Sequence, residues 1–297
     1  MLEGAGLNSS LNSPVHSDRL SMTQDKVPQT MRDFLRKIPF FSDLYRALRL
    51  TMPWLLRPRK SVSGLLMVGS NSLQLQESYE SIVANFLISK LNRTTRFVNV
   101  GANIGYWPLI LRLRGFDGEI VLVEPDKFNL RLLMRNLKLN KIYNVTVKNE
   151  AASNYSGFID LYGFGTGTSV VKGWAGGASR RRIRVPSEHL DSIVEVSSIP
   201  TIFLIDVEGF ELEVLEGANL HLKRLSEFIV EIAIHEHQPK GISINPNYEK
   251  VFKFMSANGY KVFGWIPEYT ELGSKQRKLL MQGKLENKSQ MYHFSKV

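Results

Sequence analysis

From residue 95 onward, short apolar runs alternate with stretches of helical period, and no other feature of this 297-residue chain narrows its fold so far. FVNV (97–100), EIVLVE (119–124), NVTVK (144–148) and TIFLID (201–206) read as strands, since brief runs rich in Val and Ile between polar residues suit a buried strand. Tyr106 to Arg114, Lys127 to Asn140, Phe210 to Leu225 and Tyr248 to Asn258 carry apolar side chains at helical spacing. EFIVEIA (227–233), YKVFGW (260–265) and MYHFSKV (291–297) are further strands, the last two joined by a charged connection. Strands taking turns with helices predict an α/β fold, a mostly parallel doubly wound sheet covered on both faces, and the closing pair predicts an antiparallel strand. GFIDLYG (157–163) and RRIRVPS (181–187) read as additional strands flanking a glycine-rich loop. There is no internal repeat.

Upstream of this pattern the composition changes. Residues 1–29 are rich in Ser, Asn, Gly and Gln and read as a disordered leader, because they bury too little to offset their ordering entropy. Residues 30–94 read as a basic amphipathic helical extension, and residues 95–297 as the α/β domain. Between Met31 and Lys60 eight Lys and Arg residues face only Asp33 and Asp43, within a chain of net charge +10. Such a segment suits packing on the domain or contact with an anionic membrane surface. Its charges interrupt the apolar run too often for a membrane span, and the N-terminus lacks a signal-peptide pattern. The absence of cysteine excludes disulfides, thiolate metal sites and a cysteine nucleophile, and fits a cytoplasmic chain.

GANIG (101–105) occupies the first strand-to-helix turn, the place where a doubly wound sheet approaches its ligand most closely. Gly101 and Gly105 remove Cβ atoms, while Asn103 stands where a dinucleotide fingerprint has its central glycine, so a ligand without a pressed pyrophosphate is expected. Glu124 ends the next strand 23 positions after Gly101, near the roughly 20-residue offset at which an acid binds ribose hydroxyls. Turn and acid together describe a nucleoside cofactor, which S-adenosylmethionine (SAM) satisfies.

VNVGANIGYWPL, VEPDKFNLRLLMRNLKLN, NEAASNYSGFIDLYG, LDSI and LIDVEGFELEVLEGA, in that order from about Phe97 to Glu231, resemble the FkbM family of SAM-dependent methyltransferases. The resemblance implies a Rossmann-like class I methyltransferase fold and O-methylation of hydroxyls on sugars and natural products. It also implies that Gly101, Asn103 and Gly105 contact SAM, that Glu124 holds its ribose, and that the segment around Glu150 and Ala151 lies near the adenine. Many members carry a lysine two positions before the aspartate of DVEG, where this chain has Leu204.

Methyl transfer to an alcohol needs a group to accept the hydroxyl proton. Asp206 is the expected base or orienting carboxylate, with Glu208 second; if the strand persists, their spacing places both on one side. Glu231, at the end of the next strand, completes a cluster that alternatively suits a hard divalent cation such as Mg2+. Glu208 has a third reading, as a cap of the following helix. His235 is a further candidate base, with His237 beside it. Arg180, Arg181, Arg182 and Arg184 form either a solvated edge or a grip on an acceptor phosphate, and Trp174 offers a face to a sugar ring. The expected acceptor is a saccharide or glycoconjugate hydroxyl, met at the inner membrane face through residues 31–60. An RNA methyltransferase and a non-catalytic SAM-binding regulator are the alternatives. The basic residues are not interleaved with stacking aromatics, which argues against nucleic acid.

Overall fold

The computed structural model describes residues 56–76, 78–163, 165–174, 181–234, 245–266 and 268–296, all within the compact unit Arg49–Val297. The leader, most of the basic 31–60 segment, His235 and His237 lie outside the described residues. No helix among the described residues is long and apolar enough to cross a membrane.

An eight-stranded sheet runs β12-β11-β13-β10-β9-β3-β4-β5. Its members are β3 (Arg96–Val100), β4 (Glu119–Val123), β5 (Thr146–Lys148), β9 (Thr201–Ile205), β10 (Ser226–Glu231), β11 (Lys261–Trp265), β12 (Tyr269–Glu271) and β13 (Met291–Ser295). Strands β5, β4, β3, β9 and β10 are parallel, and β13 enters antiparallel between β10 and β11. This is the doubly wound sheet with a reversed strand that the alternation predicts. In β3 and β9 all five residues are buried, as a strand covered on both faces requires. On one face Val98, Phe203, Ile205, Phe228 and Val230 pack with α4 (Leu190–Ile193), α5 (Glu211–Glu216), α6 (Asn219–Leu222) and α7 (Tyr248–Ala257). On the other, Phe97, Leu122, Leu204 and Ile229 meet α1 (Ser81–Lys90), α2 (Tyr106–Leu113) and α3 (Lys127–Leu139). Leu204 is thus core, where the family lysine would stand.

Three local readings change. The helix expected from Phe210 to Leu225 breaks into α5 and α6 at Gly217, where a Cβ would lie 1.8 Å from the Ser153 carbonyl oxygen. The charged connection before β13 contains β12 and α8 (Ser274–Met281). A second sheet, in the order β6-β8-β7, adds β6 (Ala151–Ser153), too short to read from sequence, to β7 (Gly157–Tyr162) and β8 (Arg182–His189).

The extension expected to be helical over 30–94 carries a hairpin at its described end, β1 (Arg59–Lys60) with β2 (Leu66–Met67), before α1. Side-chain amides of Asn136 in α3 and of its C-cap Asn140 complete the edge of β2. Asn140 Oδ1 accepts from Leu66 N at 3.0 Å and its Nδ2 donates to Leu66 O at 2.7 Å, while Asn136 does the same for Val68 at 2.7 and 3.1 Å. Two asparagines four apart on one helix face thereby act as a neighbouring strand. Leu65, Met67, Val83 and Leu87 join the core of the α2–α3 face, so this part of the extension belongs to the domain.

Candidate active site

Register assembles the site. Val100 pairs with both Val123 and Ile205, and Ile205 with Val230, so Gly101, Glu124, Asp206 and Glu231 lie in one row along the carboxyl edge of the sheet. The chain changes direction of winding on either side of β3, which makes this edge the switch point where such sheets bind ligands. A cavity opens there, lined by Gly101, Asn103, Glu124, Asn129, Ala151, Thr168, Asp206 and Glu208 among others. Its atom-free space is about 610 Å3 with the open mouth included.

The turn residues reach this edge for more than one reason. Gly101 has φ +83°, and a Cβ there would lie 1.8 Å from the Asp206 carbonyl oxygen. Its missing side chain therefore lets β3 and β9 approach each other, a tighter constraint than clearance for a ligand. Gly105 packs instead on Leu133 of α3 and is not among the cavity-lining residues; Glu150 is also absent from the lining, whereas its neighbour Ala151 is present. Asn103 adopts φ +49°, which aims its backbone N–H at Glu124.

Glu124, 4% exposed, is held by oriented donors: Asn103 N at 2.7 Å, Asp126 N at 2.8 Å and Asn129 Nδ2 at 3.4 Å. Burial pushes its carboxyl up to about 7 while those bonds oppose the rise. Asp126 is fixed in turn, since it caps α3 through Phe128 N and both its oxygens accept from the Arg181 guanidinium. Arg181 also donates to Gly163 O, which ties the glycine-rich segment to the start of α3. Arg182 pairs with Asp160, and Arg184 lies 5.2 Å over the Phe158 ring. Of the described arginines Arg181 is a largely buried brace, while Arg182 and Arg184 stay on the exposed edge; Arg180 lies outside the described residues.

The acidic half is assembled differently. The strand stops at Ile205, so the period-two argument for Asp206 and Glu208 fails; Glu208 reaches the cavity through a left-handed turn, with φ +57° at Glu208 and +96° at Gly209. Glu208 does not cap α5. Its Oε2 accepts from the Trp174 indole N–H at 2.7 Å, and Glu211 Oε1 receives Gly209 N at 2.8 Å. Trp174, 4% exposed, packs where a Gly209 Cβ would stand, 2.6 Å from the ring, so its face is taken by protein and not offered to a sugar. Burial, then the charge of Asp206, raises Glu208 to about 8. Glu231 is raised well above the ordinary carboxyl range by Asp206 first, by burial next, and by a hydrogen bond with Asp206.

Sequence reasoning missed Glu80. It stands at the start of α1 with φ +48°, pushed up to about 7 by burial and then by Asp206, beside Tyr79, whose carbonyl accepts from Tyr106 Oη at 2.7 Å. No motif marks it, because it comes from the segment read as extension. Asn129, Thr168 and Ser169 also line the cavity unforeseen; the only hint was that Asn129 follows Glu124 by five residues across a helix cap. Among the described residues no three His, Asp or Glu side chains are grouped so as to hold a metal ion, so the Mg2+ reading of Asp206, Glu208 and Glu231 gains no geometry.

A nucleoside cofactor fits the residues present. A carboxylate offers about four lone-pair sites, more than the protein donors on Glu124 use, and the oxygens of Asn103, Asn129 and Thr168 along the same wall have no hydrogen-bond partner. Such a wall complements a ligand rich in O–H and N–H donors.

Residues 99–262 match the family model described as the methyltransferase FkbM domain, more than half of the chain. Among solved structures, the precorrin-6y C5,15-methyltransferase from Geobacter metallireducens GS-15 is similar, with a TM-score of 0.41 and 13% identity over 77% of this chain and 95% of that one. An rRNA methylase from Streptococcus thermophilus gives a TM-score of 0.40 and 12% identity over 72% of this chain and 94% of that one. No curated protein matches the sequence.

Proposed function

The chain belongs to the FkbM methyltransferase family, and on that premise we propose that it transfers a methyl group from SAM to a hydroxyl of a saccharide, glycoconjugate or related natural product. The fold is α/β and Rossmann-like, with two reversed strands, β12 and β13, in a mostly parallel sheet. SAM, when bound, supplies a methyl group on a sulfonium, an electrophile that an alcohol oxygen attacks once its proton has somewhere to go. Glu124 and the amides beside it would hold the nucleoside end.

One observation carries the hydroxyl reading: Asp206 borders the cavity and shares a hydrogen bond with Glu231, whose carboxyl it forces up. Two carboxyls so close cannot both ionise at neutral pH, and the pair divides into an acid and a base. Glu231, the carboxyl that is raised, favours its proton, and Asp206 at the cavity edge is placed to receive the proton of an acceptor hydroxyl. Glu208, raised above neutrality and anchored by Trp174, holds its own proton and adds a hydrogen-bond donor without a second negative charge. Burial strengthens each of these interactions relative to water.

The test is transfer from methyl-labelled SAM to a panel of free, lipid-linked and nucleotide-linked saccharides, read by mass. Label should appear on oxygen, and Asp206→Asn should abolish most of it. Label found only on nitrogen or RNA, or a fully active Asp206→Asn, would overturn the proposal.

A further inference from the structure

Asn129 is 2% exposed, and its side-chain oxygen has no hydrogen-bond partner; the same holds for the side-chain oxygens of Asn103 and Thr168, and all three residues line the cavity beside Glu124. A buried polar atom left unpaired keeps its desolvation cost without a return, so three along one wall point to a partner brought by a ligand. The amide orientations are determined by their neighbours. Asn129 Nδ2 donates to Gly165 O at 3.3 Å and to Glu124 Oε1 at 3.4 Å, and Asn103 Nδ2 to Gly165 O at 3.5 Å. Both neighbours are acceptors, so reversing the Asn129 amide would set its oxygen against two oxygens. The carbonyl of Gly165, on the glycine-rich segment, thus turns the amide nitrogens toward itself and leaves the oxygens to other donors.

The wall consequently presents a carboxylate, two amide oxygens and a hydroxyl, with the Asn129 amide adjoining the carboxylate. A vicinal diol answers this arrangement, because neighbouring hydroxyls on one ring each bring a proton and one carboxylate need not receive both. We propose that Asn129, assisted by Thr168, is a second reader of the cofactor ribose and accepts the hydroxyl that Glu124 does not. This inference rests on the adenosyl reading of the cavity. It gives the 163–174 segment a part in cofactor selection: Gly165 orients the amide, Thr168 contributes a hydroxyl, and Arg181 ties the segment to the Glu124 turn.

The experiment is calorimetric titration of the full chain with S-adenosylhomocysteine (SAH) and with its 2′-deoxy and 3′-deoxy analogues. Wild type should lose about tenfold or more in affinity for each analogue. Asn129→Leu, similar in size, should weaken SAH by about tenfold and bind one of the two deoxy analogues nearly as well as SAH, while keeping the penalty for the other. An Asn129→Leu protein that binds SAH like wild type, or that keeps both penalties, overturns the proposal. Thr168→Val, a change of similar volume nearer the surface, should lower the same penalty by about threefold, and an unchanged penalty there overturns it even if Asn129→Leu does not fold. Failure of wild type to bind SAH would remove the cofactor reading itself, an outcome distinct from wild-type binding with unaltered discrimination in the variants.

Discussion

Glu124 and Asp206 each follow a strand residue paired with Val100, one on either side of β3, and so begin as equivalents. Their surroundings diverge completely. Glu124 sits among backbone N–H groups and an asparagine amide, with Asp126 and Arg181 bracing the turn. Asp206 sits among acids: Glu80, Glu208, Glu211 and Glu231 all have pKa values raised in part by its charge. Oriented donors make a carboxylate a fixed acceptor, which suits holding a ligand. Crowded carboxyls divide their protons, which suits moving one. The difference shows that adjacent positions in one register can be turned to binding or to acid–base chemistry by the loops that follow them.

If this division is real, Asp206→Asn should lower the transfer rate by about 10²–10⁴ while SAH affinity stays within about threefold. Rate and affinity falling together would erase the distinction between the halves. Gly101→Ala should damage both, because a methyl group at φ +83° meets the Asp206 carbonyl. A loss of about 3 kcal/mol or more in urea denaturation is expected, and a loss below about 1 kcal/mol would deny the close approach of β3 and β9.

The buried acids also give a pH signature. Glu124 and Glu211, each raised to about 7, bind protons in the folded chain that they release when unfolded above about 4.5. Their contribution is fully present below about pH 4.5 and is lost as pH rises through 7. The unfolding free energy of the ligand-free protein from urea titration should therefore fall between pH 5 and pH 8, by an amount on the order of 5 kcal/mol for the two groups; a free energy that rises over this window would contradict the burial of these groups. The smallest expected effect is Trp174→Phe. Removing the indole N–H leaves Glu208 without that donor, for about 1–2 kcal/mol of stability and a higher Glu208 pKa, with SAH affinity unchanged. A loss of SAH affinity equal to that of rate would place Trp174 in the binding half instead.

The Glu124 half of the cleft was the more legible in sequence, and the reason is local. GANIG and Glu124 are linked by one βα unit, so a spacing along the chain translates directly into a distance across two strands. Asp206 was readable as a strand-end acid for the same reason. Glu80 was not, since its approach depends on α1 folding back onto the domain, and no periodicity carries that information. For the arginines after the glycine-rich loop the sequence left a solvated edge and a phosphate grip both open, because charge can be counted in a sequence whereas the partners Asp126 and Asp160 of Arg181 and Arg182 are set by tertiary packing. The Trp174 reading failed: whether a loop tryptophan faces solvent or covers Gly209 is decided by the turn beneath it. The hairpin β1–β2 escaped notice because its edge is paired by side chains of α3, and a strand of two residues has no pattern of its own.

The measurement that bears most directly on this account is calorimetric titration of the full chain with SAH, wild type beside Glu124→Ala. Micromolar binding by wild type, weakened at least thirtyfold (about 2 kcal/mol) in the variant, is the predicted result. Equal binding by the two proteins, or none by wild type, would contradict the claim that the donor-braced half of the cleft is a nucleoside site.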